Sequence, residues 1–197
     1  MILTTIFTNI DSFDARLLFW IHEHLHSDTG NAILPYFRKA KFWIPLYAVL
    51  LAFFIKWWKW KAWIPTLFLA ASIGLSDLIS VHLFKNNILR LRPCHTYESD
   101  PRLDLLIPCG GQYGFVSSHA SNHMAMAVFL MCLFAGTSPK LRWIWFFWAF
   151  MIGFSQVYVG VHYPLDVFCG FILGGVIGFI MSRINSRYFP EFFSFRT

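Results

Sequence analysis

Charged residues are scarce in this sequence. Asp, Glu, Lys and Arg make up only 13% of the 197 residues, whereas an average soluble domain is about one quarter charged. Apolar and aromatic residues take their place, including 23 Phe and 9 Trp. This composition argues against an ordinary soluble domain and indicates a protein whose surface lies in lipid.

The sequence also lacks Ser/Gly-rich linkers, low-complexity runs and internal repeats, which is typical of one domain, residues 1–197. Its start, MILTTIFTNIDSFD, lacks the basic segment of a secretory signal, so we expect it to belong to the mature protein. The formal net charge of +6 suits anionic lipid headgroups. Because the basic residues are scattered among apolar runs, no nucleic-acid partner is predicted.

Five segments approach the roughly 20 apolar residues that a membrane-spanning helix needs. They are residues 40–58, 62–84, 118–136, 143–161 and 164–181. Before them, residues 12–27 interleave apolar side chains with charge, as an amphipathic helix at the membrane interface does. The predicted fold is therefore an all-α, polytopic transmembrane helical bundle with about five spanning helices and an N-terminal amphipathic helix. Gly170, Gly174 and Gly178 predict a close helix-packing face in the last span.

Basic residues in the short loops indicate how the spans are oriented. If five spans alternate, the basic loops 56–61 and 139–142 share one side, which the positive-inside rule makes cytoplasmic. The long loop 85–117 then faces outward from the plasma membrane. Four basic residues lie on this side, which should avoid them: Lys85, Arg90, Arg92 and Arg102. We expect them to have a function there.

Three polar motifs gather at the same outward face. They are Lys85 with Arg92-Pro93, the sequence SSHASNH at 117–123, and the sequence GVHYPLD at 160–166. Lysine offers a point charge and arginine a planar fork for phosphoryl oxygens. Ser117 and Ser118 are placed as the N-cap and first turn of a helix, where free backbone N–H groups favour an anion. These residue types predict a phosphate site.

The histidines of the second and third motifs suit phosphoryl transfer. Asp166 follows His162 by four residues, where it can bind one imidazole nitrogen and leave the other free as a nucleophile. His119 can protonate the departing oxygen. His119 and His123 have the spacing of a metal pair, but Ala120 stands where zinc proteases have Glu. We therefore predict neither a metal nor another cofactor.

Together the motifs resemble the three-part signature of the type 2 phosphatidic acid phosphatase family, which contains membrane lipid phosphatases and soluble vanadium haloperoxidases. The matching residues are Lys85-x6-Arg92-Pro93, Ser117-Ser118-His119 and Ser155-x6-His162-x3-Asp166. The resemblance implies a helical bundle and metal-independent hydrolysis through a phosphohistidine.

By position in this signature, His162 would attack phosphorus, Asp166 would orient His162, and His119 would act first as acid and then as base. The phosphoryl oxygens would be held by Lys85, Arg92, Ser117 and the backbone at Ser118.

The sequence departs from the family pattern at two places. The usual Pro-Ser-Gly-His reads Val116-Ser117-Ser118-His119, and Ser118 still offers its N–H. The third motif has Gln156 where the family has Arg, so that a hydrogen bond to the phosphate replaces a charged one. Losing a charged contact costs about 1.5–3 kcal/mol. Three residues are alternatives for the missing cation: Arg90, Arg102 and His95.

The cysteines fall into two groups. Cys132 and Cys169 lie inside predicted spans, whereas Cys94 and Cys109 both lie in the outward loop. On an oxidising side of the membrane, Cys94 and Cys109 would form a disulfide that holds Arg92 near Ser117. The alternative is two unpaired loop thiols.

The predicted partners are the bilayer and a lipid phosphate or diphosphate. Small members of the family often act on undecaprenyl diphosphate, the carrier lipid of wall synthesis, and this is the first substrate hypothesis. Phosphatidylglycerol phosphate, phosphatidic acid and the lipid A 1-phosphate group are alternatives. Two other classes are a vanadate-dependent oxidase, which five apolar segments disfavour, and a non-catalytic lipid-phosphate binder or transporter, which Gln156 favours.

Overall fold

A computed structural model describes residues 2–137 and 139–193, with only the backbone described at residues 2–10 and at Leu141. The predicted domain of residues 1–197 thus includes a few residues outside the described ranges.

Helices dominate the described ranges, which contain no β-structure other than one bridge between Leu91 and Tyr113. In chain order they are α1 (Ile2–Leu25), α2 (Asp28–Phe37), α3 (Ile44–Trp58), α4 (Trp63–Ile79), α5 (Asn86–Ile88), α6 (Pro93–Thr96), α7 (Ser118–Leu133), α8 (Pro139–Tyr158) and α9 (Pro164–Tyr188). Further segments are 3₁₀-helical at Ala40–Trp43, Lys59–Ala62 and Pro190–Phe193, and π-helical at Ser80–Lys85. The all-α prediction is confirmed.

Two helical stretches, Ala40–Ile88 and Pro164–Tyr188, are long and apolar enough to cross a membrane. The first stretch contains α3 and α4, and the chain turns between them at Lys59, where φ is 51°. Because of this turn the two helices contact each other and line one cavity. Large apolar side chains are exposed on these helices and on α8, among them Ile55, Leu67 and Phe147, as expected of surfaces that contact lipid. A membrane protein is therefore indicated, and the count of five spans stays a prediction.

α7 lies at the centre of the bundle, against α4, α8 and α9. The predicted glycine face of α9 is confirmed where α9 contacts α7. A Cβ added at Gly170 would lie 2.8 Å from the carbonyl oxygen of Ser117, and Cβ atoms at Gly174 and Gly178 would collide with the α7 backbone. Because these residues lack side chains, α9 approaches the first turn of α7 closely.

α1 overlaps the amphipathic helix predicted for residues 12–27, but it begins earlier, at Ile2, and the interfacial position of that helix stays a prediction. Leu18 and Ile21 are buried in the bundle, whereas Leu17, Trp20 and Leu25 are exposed. The exposed apolar side chains suit a helix that lies in the membrane interface.

Candidate active site

The three sequence motifs meet at one end of the bundle. There the π-helical segment follows α4, α7 begins, and the α8–α9 turn lies alongside. The backbone N–H of Ser117 donates to the carbonyl oxygen of Asp166 at 3.0 Å, and Nζ of Lys85 donates to Oγ of Ser118 at 2.7 Å. Residues separated by up to 81 positions thus form one cluster, as the sequence predicts.

His162 lies in the turn between α8 and α9 and is 1% exposed. Its Nδ1 faces Oδ2 of Asp166 at 3.4 Å, and the same oxygen accepts the backbone N–H of Tyr163 at 3.1 Å. Burial, opposed by the hydrogen bond to Asp166, lowers the pKa of His162 to about 4. At neutral pH the imidazole is therefore uncharged, and Asp166 holds Nδ1 so that Nε2 is the nitrogen available for attack.

Arg90 binds the other oxygen of Asp166. Its Nη1 donates to Oδ1 of Asp166 at 2.6 Å, and its Nη2 donates to Asp14 at 2.7 Å and to Asp11 at 2.9 Å. Burial opposes the charge of Arg90, but Asp166 and Asp14 outweigh burial and raise the pKa of Arg90. The role of Arg90 is therefore to orient Asp166, which in turn faces His162.

The two acidic partners on α1 are site residues that the sequence reasoning missed. Asp14 is buried, and its second oxygen accepts the backbone N–H of Leu165 in the first turn of α9 at 2.9 Å. Asp14 belongs to the segment 12–27, in which apolar and charged side chains alternate, and Asp11 immediately precedes this segment. The available signal was the basic Arg90 on the side that should avoid it, but no sequence pattern connects residues 76 positions apart.

Lys85 and Arg92 approach the same end of the bundle. Ser118 Oγ lies 2.7 Å from both Lys85 Nζ and Ser80 Oγ, so that the π-helical segment directs two side chains at one hydroxyl. Nε of Arg92 is buried and has no hydrogen-bond partner among the described residues. Burial, opposed by the charge of Asp166, lowers the pKa of Arg92. A buried donor without a partner is what an anion site requires before its ligand binds.

Ser117 is fully buried, and its Oγ accepts the N–H of Ala120 at 3.5 Å as the N-cap of α7. Its own hydroxyl hydrogen can still be donated. Gln156 is also fully buried, but its Nε2 faces the Ile152 carbonyl oxygen at 3.3 Å and Ser155 Oγ at 3.4 Å. The phosphate contact predicted for Gln156 stays a prediction, and this orientation does not favour it.

His119 stands in the first turn of α7 and lines, with Ser118, an apolar cavity of about 550 Å³ between α3, α4 and α7. His123, the second histidine of the i,i+4 pair, makes contacts of its own. Nδ1 of His123 bonds the carbonyl oxygen of His119 at 2.8 Å, and its ring packs on Trp148. Both histidines line the cavity, but His123 is held by this hydrogen bond and by Trp148, so that His119 is the one left to act on a molecule there.

Of the three alternatives for the missing cation, none lines this cavity. Arg90 binds Asp166, Arg102 pairs with Asp100 at 2.6 Å, and His95 is exposed.

Cys94 and Cys109 are joined in a disulfide, with Cα atoms 5.8 Å apart. We expect the double variant Cys94→Ser, Cys109→Ser to lose about 3 kcal/mol of stability, because the bond closes a loop of about 15 residues. Thermal unfolding should then occur roughly 6–12 °C lower, and reductant should lower it in the wild type as well. Cys132→Ala, which removes a free cysteine, is the control. If neither the double variant nor reductant lowers the melting temperature, the disulfide is contradicted.

Gly114 lies where the motifs touch. A Cβ at this position would be 3.0 Å from Oδ2 of Asp166, 3.2 Å from Cγ of Arg92 and 3.4 Å from Nδ1 of His162. Gly114→Ala should therefore displace these groups by a few tenths of an ångström and lower kcat/KM about 10-fold. Gly111→Ala, whose Cβ would meet nothing within 4 Å, is the matched control. Equal activity of the two variants would show that this close packing is not needed.

Comparison with known proteins agrees with this geometry. Residues 65–190 match the PAP2 superfamily. The lipid A 4'-phosphatase of Bacteroides thetaiotaomicron is 31% identical over 190 residues, covering 90% of this chain and 81% of that protein. An undecaprenyl-diphosphatase of Sulfolobus acidocaldarius is 34% identical over 151 residues, covering 70% of each protein.

The crystal structure of a transmembrane PAP2-type phosphatidylglycerolphosphate phosphatase from Bacillus subtilis matches with a TM-score of 0.70. It covers 91% of this chain and 87% of its own, and its 22% identity makes this a likeness of fold alone. The resemblance predicted from the three motifs is confirmed, and the chain belongs to the PAP2 superfamily.

Proposed function

We propose that this chain is an integral membrane phosphatase that hydrolyses a lipid phosphate or diphosphate through a phosphohistidine at His162. The observation that carries the proposal is the position of the first turn of α7. On one side His119 and Ser118 line an apolar cavity, and on the other Ser118 and Ser117 bind Lys85 and Asp166. Such a site can hold a phosphate and an apolar tail at once.

The reaction follows from the roles of the residues. Nε2 of His162 attacks phosphorus, the bond to the leaving oxygen breaks, and His119 protonates that oxygen. His119 then takes a proton from water, which attacks the phosphohistidine and releases inorganic phosphate. Throughout, Lys85, Arg92 and the N-terminus of α7 stabilise the phosphoryl oxygens.

The tail binds in the cavity between α3, α4 and α7. Its wall is formed by apolar side chains, among them Leu50, Phe54, Leu69, Ile73 and Met126. Burying each methylene group of a tail there contributes about 0.8 kcal/mol. The lipid tail enters this cavity sideways, between helices, from the bilayer.

The proposed location is the plasma membrane, with residues 1–197 as one domain and the loop 85–117 on the outward face. The disulfide in this loop supports an oxidising side, and the basic loop 56–61 lies at the other end of α4. A cysteine-accessibility scan tests the orientation, and labelling of residues 139–142 from outside would contradict it.

Undecaprenyl diphosphate remains the first substrate hypothesis, with lipid A phosphates as the second candidate. The second rests on the lipid A 4'-phosphatase relative, whose similarity extends over 90% of this chain.

The test is phosphate release by the purified chain in detergent, without metal and with chelator. The substrates are undecaprenyl diphosphate, lipid A, phosphatidylglycerol phosphate and phosphatidic acid. Chelator-resistant release from one of them supports the proposal, and the best substrate identifies the class. Absence of release from all four would contradict it and favour a lipid-phosphate binder, whereas halide oxidation with vanadate would indicate the oxidase.

A further inference from the structure

Arg38 is a cation that the motifs do not include, and it lies beside the proposed catalytic acid. It follows α2 directly and lines the cavity of about 550 Å³ together with His119 and Ser118. The indole N–H of Trp43 donates to the carbonyl oxygen of Phe37 at 2.7 Å, which anchors the end of α2 that carries Arg38.

The guanidinium group of Arg38 has no hydrogen bond and no ion pair to any residue that the structure describes. Arg90 and Arg102 are engaged with carboxylates, since Arg90 binds three of them and Arg102 binds Asp100. Arg92 resembles Arg38, because its Nε has no hydrogen-bond partner among the described residues. The carboxylate that lines the cavity, Asp77, accepts the side-chain N–H of Asn122 at 3.2 Å. A half-buried arginine without a partner at a cavity wall is suited to an anion that enters the cavity.

The charges around the two histidines place Arg38 on one side of the site. Arg38 acts electrostatically on His119 and Arg92, whereas the charges acting on His162 are those of Arg92, Asp166 and Lys85. Burial, and then the like charge of Arg92, lower the pKa of Arg38, and an anion between the two guanidinium groups would relieve their repulsion. Arg38 therefore belongs to the side of the leaving group and the tail, not to the side of the nucleophile.

We propose that Arg38 binds the second, lipid-linked phosphate of a diphosphate substrate and stabilises it as the leaving group. The inference rests on the proposed function and deepens it, because it assigns the substrate to the lipid diphosphates. A lipid monophosphate has an uncharged ester oxygen in its place, which His119 protonates as it leaves, and such a substrate would gain little from Arg38.

The experiment compares farnesyl diphosphate with farnesyl phosphate, which share one tail and differ by one phosphate. Arg38→Ala should lower kcat/KM for the diphosphate by about 10- to 100-fold and for the monophosphate by less than about 3-fold. Arg38→Lys, which keeps the charge and loses the planar fork, should fall between wild type and Arg38→Ala. The control is Lys39→Ala, since Lys39 is exposed over the ring of Tyr36 and does not line the cavity.

Equal losses for both substrates, or no loss for either, would overturn the assignment. Calorimetric binding of inorganic pyrophosphate and phosphate to the full chain separates this proposal from the proposed function. If the wild type hydrolyses no lipid substrate, but Arg38→Ala still weakens the binding of pyrophosphate more than that of phosphate, the proposed function fails and the anion site stands. Failure of the wild type to bind pyrophosphate overturns the site itself.

Discussion

Replacing His162 by Ala is expected to abolish phosphate release, lowering kcat by at least about 10⁴-fold. The reason is chemical, because the variant lacks the atom that forms the bond to phosphorus. It is also geometric, because His162 is the imidazole that Asp166 contacts, at 3.4 Å, in a fully buried turn. The measurement is phosphate release in detergent on the best lipid substrate, with the melting temperature recorded for each variant.

A phosphoenzyme measurement makes this test specific. Rapid acid-free quenching of the wild type with labelled substrate should give a protein-bound phosphate that is stable in base and lost in acid, as phosphohistidine is. His162→Ala should give none, and His24→Ala, which removes an exposed histidine of α1, should behave as the wild type. Residual activity above about one tenth in a folded His162→Ala variant would place the nucleophile elsewhere.

Replacing Arg90 by Ala is expected to destabilise the chain by about 3–5 kcal/mol, since it leaves two buried carboxylates without their partner. The side chains of Asp166 and Asp14 are 0% and 4% exposed, and each accepts a hydrogen bond from Arg90. The melting temperature should fall by roughly 6–20 °C. The kcat of the remaining folded protein should fall as well, because Asp166 loses the group that fixes its orientation.

Two further variants show whether the carboxylates cause this loss. Asp14→Asn in the Arg90→Ala background removes one unpaired charge and should recover part of the melting temperature. Arg102→Ala, in the same loop but in an exposed pair with Asp100, should change it little. A wild-type melting temperature for Arg90→Ala would mean that the ion network does not hold α1 and α9 to the site.

The meeting of the three motifs could be predicted because the spacing within each motif is informative, whereas their catalytic roles stay a prediction. His162 and Asp166 are four residues apart on one turn, and Ser117 immediately precedes an apolar helix, so local geometry suffices to assign their use. The same holds for the glycine face of α9, where four-residue spacing on a helix predicts one close contact surface.

The partners of the cluster could not be predicted in this way. Nothing in the amphipathic pattern around Asp14 distinguishes a solvated acid from one that binds Arg90, and Arg38 belongs to none of the three motifs. The sequence also does not show that the amide of Gln156 faces groups of α8 itself, and the phosphate contact of Gln156 stays a prediction.

The sequence by itself determined that this chain is all-helical, that it is rich in apolar surface that suits lipid, and which motifs bring the candidate site residues His162, His119, Lys85 and Arg92 together. These properties depend on composition and on spacing within a turn or a helix, which the covalent chain fixes. Only the tertiary structure decided that Arg90 binds Asp166 and that Arg38 lines one cavity with His119. It also decided that His162 faces Asp166, whereas His119 faces the apolar cavity. Arg90 is 76 positions from both Asp14 and Asp166, and Arg38 and His119 line one cavity from different helices. The packing of the helices selects such neighbours, because the order of residues along the chain does not fix them.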